Sequence, residues 1–164
     1  ELAPKIRQID KYEIALWGLD PLQSLMIPFR SKLSNIHTYT IFTKEGDVVG
    51  IFGVMPIARK ESMGRIWFLA SDLLEEHYID FLRKNKRWLS YLEEHYSYVS
   101  NYIISENKTS IKWLKWQGFN FRQQPMLVKG VKIMYFYKRL PSVIKYGTQP
   151  ILDEIGPKWA TDIV

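Results

Sequence analysis

The stretch Ser105–Phe119, SENKTSIKWLKWQGF, packs a full set of helix instructions into one short segment. Asn107 is a good N-cap, Ile111 belongs to an apolar face, and Gly118 supplies the conformation that ends a helix. The segment therefore reads as a short helix running to about Trp116. Just before it, Tyr98–Ile104 alternates as a strand does, and just after it Phe119–Gln124 reads as another strand. Val131–Arg139 is expected to be the last core strand.

Working outward toward the N-terminus, Asp72 with Glu75 three residues on resembles a capping box. The long helix that follows keeps Tyr78, Ile79, Leu82, Leu89, Leu92 and Tyr96 close to one face, with Asp80, Arg83, Lys84, Arg87 and Glu94 on the other. Arg65–Ala70 is a short apolar run suited to a buried strand, and Met55–Gly64, with its Pro, Gly and charges, is expected to be a loop. His37–Thr43 and Val48–Val54 flank the turn Lys44-Glu-Gly-Asp47 and read as a β-hairpin. Asp20-Pro21 opens a second helix with Leu22, Leu25, Met26 and Phe29 in a stripe, ending near Lys32 unless Pro28 stops it early. Leu2–Trp17 is expected as one first helix, with Ile6, Ile9, Tyr12 or Glu13, and Leu16 at apolar spacing and Gly18 as its stop. The order predicts an α/β fold, a mixed central sheet flanked by helices. After Leu140, Pro141, Gly147, Pro150, Gly156 and Pro157 interrupt every element, so the expected organisation is a domain over 1–140 and an extended C-terminal arm over 141–164.

The chain has 164 residues, 46% of them hydrophobic, which suits a single core. It has no cysteine, hence no disulfide, thiolate nucleophile or Cys-ligated zinc. His37, His77 and His95 lack metal-ligand spacing, so no metal site is expected. No apolar run approaches the ~20 residues of a membrane span, and a soluble protein is expected. The charge is uneven. Asn107–Leu152 contains no acid but nine Lys and Arg, among them Lys108, Lys112 and Lys115 at helical spacing. Interleaved with Trp113, Trp116, Phe119, Phe121 and Tyr135, this block is a candidate surface for nucleic acid, with core aromatics and solvated lysines as the plainer explanation.

The order of elements, and above all Asn107, Ile111, Gly118 and Phe119, resembles the GNAT superfamily of acetyl-CoA-dependent N-acetyltransferases over roughly residues 1–139. In that family a strand precedes the first helix, and here that strand is expected to be missing. The segments IWFLASDLLEEHYIDFLRKNKRWLSYLEEHY (66–96) and NYIISENKTSIKWLKWQGF (101–119) more closely resemble the GNAT-like group of tailed phages that includes the T7-type internal virion protein. That resemblance implies a phage product in the virion or host cytoplasm, with virion proteins as partners; the arm is expected to lie on its own domain or to reach a second copy in a homo-oligomer, with a disordered terminus as the plainer explanation.

The GNAT resemblance also implies a site. Leu69–Glu76, beginning with Leu69, Ala70 and Ser71, falls where the family holds the cofactor diphosphate; Ser71, Asn107 and Ser110 are the expected partners of the pantetheine arm, and the basic block of the nucleotide phosphates. Yet Leu69–Glu76 has no glycine to let backbone N–H groups approach phosphate, and Asp72, Glu75 and Glu76 bring negative charge. Leu114 falls where the family often places a Tyr acid, and leucine carries no proton to give. Trp113 and Trp116 lie near in sequence, but indole is no useful acid, and nothing in the sequence fixes Tyr102 there; Glu61 and Glu106 are candidate bases by position alone. The reading taken first is a catalytically degenerate phage virion or ejection component without a cofactor. The alternative is an N-acetyltransferase using acetyl-CoA on an unknown amine, and a nucleic-acid-binding module comes third.

Overall fold

A computed structural model describes residues 1–34, 36–57, 60–77, 88 and 91–141. Three helices come first: α1 (Leu2–Lys5), α2 (Gln8–Leu16) and α3 (Pro21–Arg30). Then come β1 (His37–Phe42), β2 (Val48–Ile57) and β3 (Lys60–Ala70), helical residues within 73–95, β4 (Tyr98–Ile104), helix α4 (Lys108–Trp116), and β5 (Asn120–Phe121), β6 (Met126–Val128) and β7 (Val131–Arg139). The strands form one seven-stranded sheet in the order β1-β2-β3-β4-β7-β5, with β6 beside β7. Its β3–β4 pair is parallel and the others are antiparallel. This is the expected mixed sheet with helices on both faces. No helix among the described residues is long and apolar enough to cross a membrane.

Strand alternation divides the buried apolar residues into clusters on the two faces of the sheet, with Leu16, Ile104 and Ile133 forming a smaller one of their own. Ile66 and Ala70 of β3 join Val54, Leu92, Tyr96, Val99, Ile111 and Phe136 on the α4 side, and Phe68 packs against them. Leu69 points the other way and packs against Leu2, Ile6, Ile14 and Leu25 of the N-terminal helices. Each such aliphatic side chain, once buried, contributes about 1.5–3 kcal/mol. The helix read from Ser105–Phe119 forms as expected. Asn107 Oδ1 accepts from the Ser110 N–H at 3.3 Å, and Gly118 takes φ +81° while the Phe119 N–H returns to the Leu114 carbonyl at 3.0 Å.

Several expectations need correction. The predicted first helix is two, because Ile6 and Arg7 are extended (ψ 136° and 145°). Ile6 bridges to Ser71, and the Arg7 N–H donates to the Ala70 carbonyl at 2.8 Å, so pairing with the end of β3 outweighs helix continuation. The predicted loop at Met55–Gly64 is largely strand: β2 runs to Ile57 and β3 starts at Lys60. Pro56 is tolerated there because it sits beside an irregularity in the ladder, opposite Gly64. A Cβ on Gly64 would lie 2.6 Å from Val54 Cγ2 and 2.9 Å from the Tyr96 ring, so this glycine serves close packing rather than a turn. The strand predicted at Phe119–Gln124 shrinks to Asn120–Phe121, and β6, unforeseen, joins β7 through Lys129-Gly130, both at positive φ (47° and 79°) as a tight hairpin turn requires. Pro28 lies within α3, which ends at Arg30. The middle of the long helix and residues 142–164 of the arm lie outside the described residues.

Candidate functional site

β3 and β4 run side by side only briefly. Their ladder covers Met63↔Tyr98, Gly64↔Val99 and Arg65↔Ser100, and then the strands part. Where the ladder stops, backbone groups need other partners. Asn101 serves both strands: its Nδ2 donates to the Ile66 carbonyl at 2.7 Å, and its Oδ1 accepts from the Tyr102 N–H at 2.8 Å.

Farther along the gap, helix α2 supplies the partners. Asp10 Oδ2 accepts from the Ala70 N–H of β3 at 3.1 Å. Three residues later on the same helix, Glu13 Oε1 accepts from the Ile104 N–H of β4 at 3.0 Å and from Asn107 Nδ2 at 3.4 Å. Two carboxylates of one helix thus hold the two parted strands. A cavity of about 170 Å³ occupies the gap between them. It is lined from one face by Asp10, Glu13, Trp17 and residues of α3, and from the other by Phe52, Trp88, Trp113 and Phe136.

The carboxylates differ electrostatically. Asp10 is 1% exposed and grips the Arg7 guanidinium at two points, Nε at 3.0 Å and Nη2 at 2.8 Å. Burial pushes its carboxyl up, and the guanidinium and the Ala70 N–H pull it back. Glu13 has no such close cation. Burial, and after it the charge of Asp10, push it up to about 7 against the lowering effect of the Ile104 N–H and Asn107. Tyr102 also lines the cavity, with its ring 6.3 Å from that of Trp17, and burial raises its phenol.

The residues singled out from sequence fall as follows. Leu69, Asn107, Ser110 and Leu114 all line the cavity, as do Trp113 and Tyr102. Ala70 is fully buried, with its N–H on Asp10 and its carbonyl on Arg7. The Ser71 N–H donates to the Val49 carbonyl at 2.8 Å, and its hydroxyl lies against the carbonyls of Val48 and Val49. Glu106 is exposed, accepts from the Ser105 hydroxyl and is not part of the cavity wall. The Glu61 side chain lies outside the described set. Trp116 is 58% exposed on α4.

Sequence reading passed over Glu13 as a base. The signal was present: a Glu at an apolar stripe position of the first helix, while the neighbouring Tyr12 turns out to be 47% exposed. His37 and His95, distant in sequence, come together with ring centroids 5.3 Å apart beside Tyr91. In the basic block, Lys138 donates to the Gln117 carbonyl and lies over Phe119, while Lys115 and Arg122 lie over Phe121 and Tyr135.

No sequence family model and no curated protein matches this chain. Solved structures do resemble it. The spermidine N-acetyltransferase of Vibrio cholerae in complex with CoA and spermine aligns at a TM-score of 0.57 and 12% identity, over 80% of this chain and 84% of that one. A putative phosphinothricin N-acetyltransferase aligns at 0.58 and 11%, over 80% and 90%. A GNAT-family acetyltransferase of Streptococcus pneumoniae aligns at 0.54 and 11%, over 74% and 77%. What these likenesses share with the described topology is architecture: the chain has the fold of the GNAT acetyltransferases.

Proposed function

We propose that this chain is an N-acyltransferase, moving a short acyl group from a thioester to an amine within the gap between β3 and β4. The observation that carries this reading is Glu13, a carboxyl on the cavity wall held near pH 7 by burial. A base of that pKa is poised to accept a proton at neutral pH. The amine nitrogen forms a bond to the acyl carbon, the C–S bond breaks, and the nitrogen's proton passes to Glu13. The departing thiolate takes a proton from water, since Leu114 offers none.

Acetyl-CoA, the donor that the fold suggests, fits only in part. The cavity has room for an acyl thioester, but the turn at Ala70–Ser71 does not fit a diphosphate, because both N–H groups are already bonded within the chain. The chemistry above therefore rests on the thioester alone.

The test is amine-dependent thiol release from acetyl thioesters. The acceptor panel begins with spermidine, spermine and phosphinothricin, the amines attached to the structural neighbours. Glu13→Gln is expected to lower turnover about 10²- to 10⁴-fold while leaving donor binding in place. Full turnover in that variant would remove Glu13 from the chemistry.

A second reading has an observation of its own. The closed turn at Ala70–Ser71 also suits a protein that keeps the fold without a cofactor and acts by binding other proteins, as a phage virion or ejection component would. The arm (141–164) and the basic block (107–152) are its proposed contacts with a second copy and with nucleic acid. Co-purification with assembled particles, together with a lack of thioester binding, would favour it over acyl transfer.

A further inference from the structure

Three features converge at the end of β3. Ala70 is 0% exposed and Ser71 2%, and every backbone donor of these two residues is in use: the Ala70 N–H on Asp10 at 3.1 Å, the Ser71 N–H on the Val49 carbonyl at 2.8 Å. The acids that follow, Asp72, Glu75 and Glu76, are exposed at the start of the helical residues 73–77. Asp72 is near enough to raise the Asp10 carboxyl, though by less than Arg7 lowers it, and with Glu75 and Glu76 it places three carboxylates at this helix start. Residues 69–76 include no glycine. An anion at a helix start needs outward N–H groups and positive potential; Ala70 and Ser71 offer no free N–H, and the three acids that follow oppose negative charge.

The gap itself is different in character. Phe52, Met55, Phe68 and Phe136 give it a largely apolar wall, with Asp10, Glu13 and Arg65 as its charged members. Two indole N–H groups that line it, Nε1 of Trp67 and of Trp88, are buried with no acceptor among the described residues. Trp88 as a whole is 9% exposed. A buried donor without a partner carries a desolvation cost that a ligand carbonyl would relieve. Walls of this kind suit an uncharged chain bearing amide or thioester carbonyls.

We infer that the acyl donor of this site is a thioester on an uncharged, pantetheine-like thiol arm, one that carries no nucleotide diphosphate. The inference rests on the acyl-transfer reading above and narrows its donor. The reaction balances as before: the acyl carbon leaves sulfur for nitrogen, and the free thiol is the second product.

The experiment compares S-acetyl-pantetheine, acetyl-CoA and 3′-phosphoadenosine diphosphate with the full chain, by thermal shift, calorimetric titration and thiol release. The two thioesters are expected to be used with kcat/KM within about threefold of each other, because a diphosphate without partners adds nothing. The free nucleotide is expected to give no shift in Tm and no competition. The inference is overturned if acetyl-CoA is preferred by about 100-fold or more, the effect of a pair of charge-assisted hydrogen bonds to phosphate, or if the nucleotide competes. That outcome would leave acyl transfer standing. Absence of binding by both thioesters would overturn the inference and the acyl-transfer reading together.

Discussion

The two strand ends that border the gap are held in the same manner and behave differently. At β3 the Ala70 N–H meets Asp10, and at β4 the Ile104 N–H meets Glu13, two carboxylates three residues apart on α2. Asp10 has the Arg7 guanidinium in a two-point contact, while Glu13 has only neutral donors at hydrogen-bonding distance and the charge of Asp10 nearby. Burial raises both carboxyls; at Asp10 the strongest opposition comes from the guanidinium in contact with it, and at Glu13, which reaches about 7, it comes from the Ile104 N–H. Asp10 closes the end of β3, and Glu13 faces the cavity where chemistry is proposed.

The comparison breaks most severely if Arg7 is removed. Arg7→Leu leaves the Asp10 charge buried without a partner and is expected to destabilise the fold by about 3–5 kcal/mol in urea denaturation. A loss below about 1 kcal/mol would mean that Asp10 is not held as an anion there.

Glu13 is next in size. Its folded pKa, about 7, lies above the ordinary value of 4.5, so the protonated form is the one that the fold favours. The resulting stability is fully present below pH 4.5 and is lost as pH rises through 7. Relative to Glu13→Gln, which stays neutral, the wild type is therefore expected to lose about 3 kcal/mol across that window and then level off. Parallel denaturation curves for the two proteins across the whole pH range would show that Glu13 is not buried as a titrating group.

Smaller effects sharpen the picture of how the strands part. Asn101→Ala removes the amide that satisfies Ile66 and Tyr102, an expected cost of about 2 kcal/mol. Asn107→Ala removes the α4 cap and a weak contact to Glu13, for about 1 kcal/mol. Equal costs at the two asparagines would argue that the parting of the strands needs no special support.

What could be read from sequence follows the range of the forces involved. The α4 segment was legible because Asn107, Ile111, Gly118 and Phe119 act within one short stretch. The hairpin β1–β2 and the capping of α3 by Asp20 were legible for the same reason. Gly64 misled because its role is set by Tyr96, a residue of another element, and Pro56 because a ladder irregularity accommodates it. The break at Ile6–Arg7 depends on β3, which no local propensity records. Of the site, Leu69, Asn107 and Ser110 were singled out through family likeness, and all three line the cavity. Glu13 was hidden by its dependence on burial: a carboxylate on an apolar stripe has meaning only once Ile104 and Asn107 are known to face it.

The central claim is that Glu13 serves as the base for acyl transfer in the gap. The most direct measurement is the pH profile of amine-dependent thiol release from S-acetyl-pantetheine, for the wild type and Glu13→Gln. The account predicts a rate that rises with pH through a midpoint of about 7 in the wild type and a low rate without that inflection in the variant. Identical profiles in the two proteins, or no amine-dependent release at any pH, would contradict it.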